Sequence, residues 1–168
     1  MIKAITLHQP YASLIAMGLK QFETRSWATG PLQPLVIHAA KRPMRDEDWL
    51  VWLKAHKLAD PLIEDCGLNS YDLPLGKAVA VCRLWKCRRM TMNIVEGRQP
   101  ENINIDHVDD LEQAVGLWQP GRYAWQLRDV VAMPEPIPAQ GKQGLWNFPH
   151  PELLPELPPF KWGGNHAA

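Results

Sequence analysis

The sequence predicts an α+β fold in which helices flank a small, mixed but mostly antiparallel β-barrel. Three observations carry this. Apolar or alternating runs of strand length recur at residues 2–7, 20–27, 34–40, 76–90 and 122–128, whereas helical periodicity is confined to residues 11–17 and 44–58. Strands and helices lack the regular spacing of a parallel βαβ sheet, and no internal repeat is present. With 46% apolar residues, a chain of 168 residues can bury a core without metals or disulfides.

Residues 2–7 alternate well enough for a first strand, which Gln9-Pro10 breaks. Pro10 suits the first turn of a helix over Tyr11-Ala12-Ser13-Leu14-Ile15-Ala16-Met17, and Gly18 is a natural left-handed cap at its end. In the second strand, residues 20–27, Phe22, Thr24 and Ser26 face one way and Gln21, Glu23, Arg25 and Trp27 the other. Thr29-Gly30-Pro31 turns the chain into a third, largely buried strand at 34–40. The helix over 44–58 carries Asp46, Glu47 and Asp48 in its first turn, where its dipole favours acids, and an apolar stripe of Trp49, Trp52 and Leu53.

A loop rich in turn residues runs to Leu75, and residues 76–90 form the longest strand. A polar excursion with weak helical signals fills 91–118. Over 122–128, strict alternation turns Tyr123, Trp125 and Leu127 toward the core. Half of the sixteen prolines follow Met133, which excludes sheet interior and long helix there. Ile137, Leu145, Trp146 and Phe148 are expected to pin the first part of this stretch to the body. The chain thus divides into one domain over 1–148 and a proline-rich tail over 149–168, expected to wrap its own domain, with the last part, ending in Trp162 to Ala168, loosely held.

Eighteen basic and eighteen acidic residues cancel, so the chain is no general polyanion binder. The charge is uneven, however. Arg83, Lys86, Arg88 and Arg89 lie close together, as do Lys41, Arg42 and Arg45, while residues 101–112 hold five acids and no Lys or Arg. This fits a local nucleic-acid contact or ordinary solvated faces. Cys66, Cys82 and Cys87 form no CxxC pair, and the histidines show no HxxxH or HExxH spacing, so neither a disulfide framework nor a metal or other cofactor is expected. No run reaches signal-peptide or transmembrane length, and a cytoplasmic, preferably monomeric protein is expected.

The densest polar constellation begins where the first helix ends. Lys20 emerges at once after Gly18, and Glu23 and Arg25, two apart on one strand face, can hold each other. Such groups between a helix and a strand either line a groove or form a structural ion pair at a rim. Desolvation there lowers a lysine's pKa toward that of a base, unless Glu23 restores the charge. Gln9 and His8 precede the same helix and either reach the groove or satisfy backbone groups. His38, in an apolar strand, is either a satisfied core residue or a ligand contact. Lys41 closes that strand. Among the eight tryptophans, Trp27, beyond Glu23 and Arg25 on the same face, is the candidate for stacking an unpaired base.

Gln9-Pro10-Tyr11-Ala12-Ser13-Leu14-Ile15 followed by Gly18-x-Lys20-x-x-Glu23-x-Arg25 resembles the signature of ASCH domains, relatives of the PUA RNA-binding fold. Gly76-Lys77-Ala78-Val79-Ala80-Val81-Cys82 and Gly121-Arg122-Tyr123-Ala124-Trp125-Gln126-Leu127 agree in order, so the resemblance spans residues 2–146. It implies a PUA-like barrel of about six strands and a cleft at the motif, binding RNA or a nucleotide and linked to RNA modification or translation. One branch of the family hydrolyses N4-acetylcytidine with a lysine, a threonine three residues later and a distant glutamate. Here Lys20 matches, but position 23 is Glu, and Thr24 faces away from it. Some ASCH-like proteins are credited with ribonuclease activity.

The first expectation is therefore an RNA- or nucleotide-binding domain. Arg25, Lys20 and Lys41 contact phosphate or base edges, Trp27 stacks, and Glu23 accepts from an exocyclic amine or holds Arg25. Gln9 and His38 complete the binding set. The alternatives are an amidohydrolase acting on a modified nucleoside, with Lys20, Glu23 and Thr24 catalytic, and a ribonuclease.

Overall fold

In the computed structural model, the described residues are 1–59, 73–92 and 101–159. They form a mixed seven-stranded sheet with three α-helices: β1 (Lys3–Leu7), α1 (Tyr11–Ala16), β2 (Phe22–Arg25), β3 (Leu32–Ala39), α2 (Asp46–Ala59), β4 (Lys77–Thr91), β5 (Asn102–Asn104), α3 (Asp110–Val115), β6 (Tyr123–Pro138) and β7 (Leu145–Asn147). The sheet runs β2-β6-β4-β3-β1-β7, with β5 added to the end of β4. All these pairings are antiparallel except β1 with β3 and β4 with β5. The loop expected up to Leu75 falls largely on residues 60–72, and the end of the tail on 160–168, both outside the described residues.

The long strands form where the chain is richest in Val, Ala, Cys and Ile, and their inner faces make one core. Ile5, Leu7, Leu35, Ile37, Leu84, Trp125 and Leu127 meet Ala12 and Ile15 of α1 there. The other side of α1 packs Leu14 against Leu19, Trp52 and Ala55 of α2 and Val115 of α3. A single short helix thus divides two cores, and the turn after it is held from both sides. Gly18 takes φ +77°, the left-handed conformation its position demands.

Two expectations are corrected. The barrel does not close: β2 and β7, at the two ends of the sheet, share no ladder. β2 is four residues long and β7 three, so neither has the length to cross the gap. The side chain of Arg25 spans it instead, its Nη2 3.4 Å from the carbonyl oxygen of Thr6. The second correction concerns Pro134, Pro136 and Pro138, which lie inside β6 after all, with Ile137 opposite Ala78 and Pro138 opposite Lys77. Pro134 and Pro136 fall where β6 bulges between Ala132, opposite Ala80, and Ile137, opposite Ala78. β2 pairs with β6 only over Tyr123–Gln126, so the missing N–H groups of these two prolines break no ladder.

The tail follows the body as far as it is described. Leu154 packs onto the cluster of Ala4, Val36, Trp146 and Phe148, and Arg83 Nη2 donates to the carbonyl of Pro158 at 2.6 Å. No helix among the described residues is long and apolar enough to cross a membrane.

Candidate nucleotide-binding cleft

The open seam of the sheet holds a cleft of about 440 Å³, within the usual range for small-ligand sites. One wall is the end of β1 and the start of α1: Thr6, Leu7, His8 and Tyr11. The facing wall is Glu23 and Arg25 of β2, and the loop Gly141-Lys142-Gln143-Gly144 closes the mouth. β7 pairs with β1 only as far as Ile5, which leaves Thr6 and Leu7 free of a strand neighbour on that side. The glycine at 141 is required by close approach. A Cβ there would sit 2.6 Å from the His38 ring and 2.8 Å from Thr6 Oγ1.

Strand alternation gives β2 its two faces. Glu23 and Arg25 turn inward, with Arg25 Nε 2.9 Å from Glu23 Oε1. Behind them lies Lys20, only 1% exposed, its Nζ 3.9 Å from Glu23 Oε2 and 6.0 Å from the centre of the Tyr11 ring. That ammonium nitrogen has no hydrogen-bond partner. Burial pulls the Lys20 pKa below its ordinary value, and Arg25 adds to this, while Glu23 and Glu112 oppose it.

Glu112 is the functional-site residue that sequence reasoning missed. It reaches from α3 to the start of β2, where its Oε1 accepts from the backbone N–H of Gln21 and from that of Phe22, the latter at 3.2 Å. Burial raises its pKa, against the pull of Lys20 and of the two amides. Burial thus works against the charged form of both groups, the Lys20 amine and the Glu112 acid, although the charge of each favours that of the other. The one available signal was Asp109-x-x-Glu112, a pattern that reads as helix capping. Asp109 does accept from the Glu112 N–H at 2.8 Å, but the Glu112 carboxyl goes to β2 instead of back to the cap.

Of the expected site residues, the structure brings Lys20, Glu23 and Arg25 together and sets the others elsewhere. Gln9 is buried, donating to Ser13 Oγ and to the Pro74 carbonyl at 2.8 Å each and accepting from Ser13 N, so its amide is fully committed at the start of α1. Thr24 points to the opposite face of β2, where its hydroxyl accepts from Leu117 N at 3.0 Å. Trp27 packs edge-on against Trp125, ring centres 4.6 Å apart, and lies outside the cleft lining. His38 stands behind Gly141, donating from Nε2 to the Ala139 carbonyl at 3.0 Å, and burial lowers its pKa. Lys41 is exposed beside Gly76.

The aromatic side chain that does line the cleft is Tyr11. At the rim, Arg42 Nε donates to His8 Nδ1 at 3.2 Å while its Nη2 pairs with Asp48 at 3.0 Å. His8 is accordingly held neutral, its pKa lowered by burial and by Arg42. Among the described residues, no three His, Cys, Asp or Glu side chains converge as a metal site.

Lys20 gives the site a pH signature. Its pKa is lower folded than unfolded, where the ordinary value is 10.5. The unfolded chain therefore binds this proton more tightly, and Lys20 adds stability as pH rises through its folded pKa toward 10.5, a contribution lost as pH falls back through the folded value. Lys20→Met is expected to remove this slope. Urea midpoints of the two proteins, compared at rising alkaline pH, should diverge in favour of the natural chain; parallel curves would contradict the buried amine.

The described residues form a mixed α+β fold whose sheet is left open at one seam, with a cleft where a capped helix meets a short strand. A family model for the ASCH domain matches residues 5–129, and the chain belongs to that family, which is associated with RNA binding. No curated protein matches the chain.

Proposed function

We propose that the protein binds RNA by taking one unstacked nucleotide into the seam cleft, in a role tied to RNA modification or translation in the cytoplasm. The observation that carries this is the Glu23–Arg25 pair on the cleft wall opposite Tyr11. A carboxylate acceptor next to a guanidinium fork meets the hydrogen-bonding edge of a base, and the tyrosine ring offers its π-face. Lys142 at the mouth and the free edge of Arg25 supply cations for a phosphate. Calorimetric titration with single-stranded RNA and with mononucleotides, at several salt concentrations, tests the reading. Affinity should fall as salt rises. An affinity indifferent to salt would remove the phosphate from the account.

A second reading, hydrolysis of an acyl amide on a nucleoside such as N4-acetylcytidine, is favoured by the unpartnered, depressed amine of Lys20. Lys20 lies behind Glu23, so in this reading Glu23 carries the proton between the amine and the cleft. Release of cytidine, abolished by Lys20→Met, would establish it; absence of turnover leaves binding alone.

A further inference from the structure

The side of the sheet that faces away from the cleft carries its own constellation. Cys87, Tyr123, Trp125 and Leu127 point into the core, so alternation turns Arg88, Gln126 and Arg128 outward, as it does Phe22 and Thr24 of β2. The Arg88 guanidinium carbon lies 5.9 Å over the ring of Phe22, whose edge meets Trp118 at 5.6 Å between centres. The Arg128 guanidinium carbon lies 5.2 Å over the ring of Trp85. Lys86 pairs in register with Gln126, which accepts from Arg88 Nη2 at 3.4 Å. No carboxylate among the described residues pairs with Lys86, Arg88 or Arg128.

Three uncompensated cations on one face repel each other. Burial and then the charge of Arg128 both lower the Arg88 pKa, the mark of a guanidinium that lacks a counter-charge. An anion laid across this face would relieve that repulsion. Arg88 and Arg128 each lie within cation–π distance of an aromatic ring, and guanidinium groups can also stack on nucleobases. A double helix hides its bases and would offer the face phosphates alone. A single strand offers both.

We propose that this outer face of β2, β6 and β4 is a second binding surface, which takes a single strand of nucleic acid by stacking bases on Arg88 and Arg128 and pairing phosphates with them and Lys86. It goes beyond the cleft reading and does not depend on it. The basic cluster of the sequence, at residues 83–89, contributes three of its cations to this face: Lys86, Arg88 and, in register with Arg128 and paired with Asp129, Arg83.

Fluorescence anisotropy with a labelled RNA strand of roughly ten nucleotides, within the site sizes of single-strand binders, provides the test. The same sequence as a DNA strand and as a duplex serves for comparison. Lys86 and Arg128 are exposed, so the double variant Lys86→Glu, Arg128→Glu keeps the fold. It is expected to weaken binding of the RNA strand at least tenfold and to reduce the salt slope by about one, since each phosphate contact on a single strand contributes ~0.7. Arg128→Lys, which keeps the charge and loses the plane, should fall between. Cleft variants should lose mononucleotide binding and keep this salt slope, so that failure of the cleft and failure of the face are read separately. Equal affinity of the double variant and the natural chain would overturn the proposal, as would a duplex bound as tightly as the strand. Comparable binding of the RNA and DNA strands would support a face blind to the sugar.

Discussion

Glu112→Ala is expected to lower the melting temperature by on the order of 10 °C, the largest effect of any single substitution near the cleft. The carboxyl accepts from two backbone amides at the start of β2 and lies within the electrostatic reach of the buried Lys20. Truncation strands both donors and leaves the amine with less negative charge around it. Leaving a buried backbone donor without an acceptor costs about 1–3 kcal/mol for each group, and in a chain of this size each kcal/mol moves the midpoint by roughly 2–4 °C. Glu112→Gln keeps an acceptor for the amides and should lose distinctly less. Calorimetry on both variants decides the cause: equal losses would mean that holding the amides of Gln21 and Phe22 is not what Glu112 does.

Arg25→Ala is expected to raise the dissociation constant for a nucleotide by roughly a hundredfold, the scale seen when one partner of a desolvated charge pair at a binding surface is cut away. Two losses combine. Glu23 is left facing the ligand without its partner, and the seam loses the side chain that reaches Thr6. Arg25→Lys restores a charge but not the planar fork, so rescue should be partial. An unchanged affinity in the alanine variant, measured by titration with the same nucleotide, would move the site away from the seam.

The local part of this architecture was legible. Gly18 ends α1 and β2 follows, because a glycine cap and a two-residue alternation are written in neighbouring positions. The same alternation joined Glu23 to Arg25 and separated Thr24 from both. It could not say what each face meets. Trp27, on the Glu23 side by parity, lies past the end of β2, where the strand no longer dictates direction, and it packs on Trp125. Gln9, just before the first helix, and His38, in the third strand, are groove candidates by sequence, but their hydrogen bonds to Pro74 and Ala139 are contacts that only the folded chain brings about. Glu112 lay furthest from view. It is 91 residues from Gln21, and its local pattern already had a sufficient explanation as a cap. Closure of the sheet was equally invisible, since it depends on how far β2 and β7 extend, and strand ends are set by their neighbours rather than by propensity.

The seam has a consequence for the order in which the protein comes into being. Its two walls come from residues 6–25, but the loop that closes its mouth is residues 141–144, near the other end of the chain. A growing polypeptide that has already released β1, α1 and β2 from the ribosome has neither β6, which holds β2 in place, nor the loop that closes the mouth. Only when the loop after Ala139 emerges, and β7 docks on β1, is the pocket assembled. Competence to hold a ligand therefore arrives last, with the finished domain, and a fragment truncated before Gly141 would carry the whole sequence motif without a binding site.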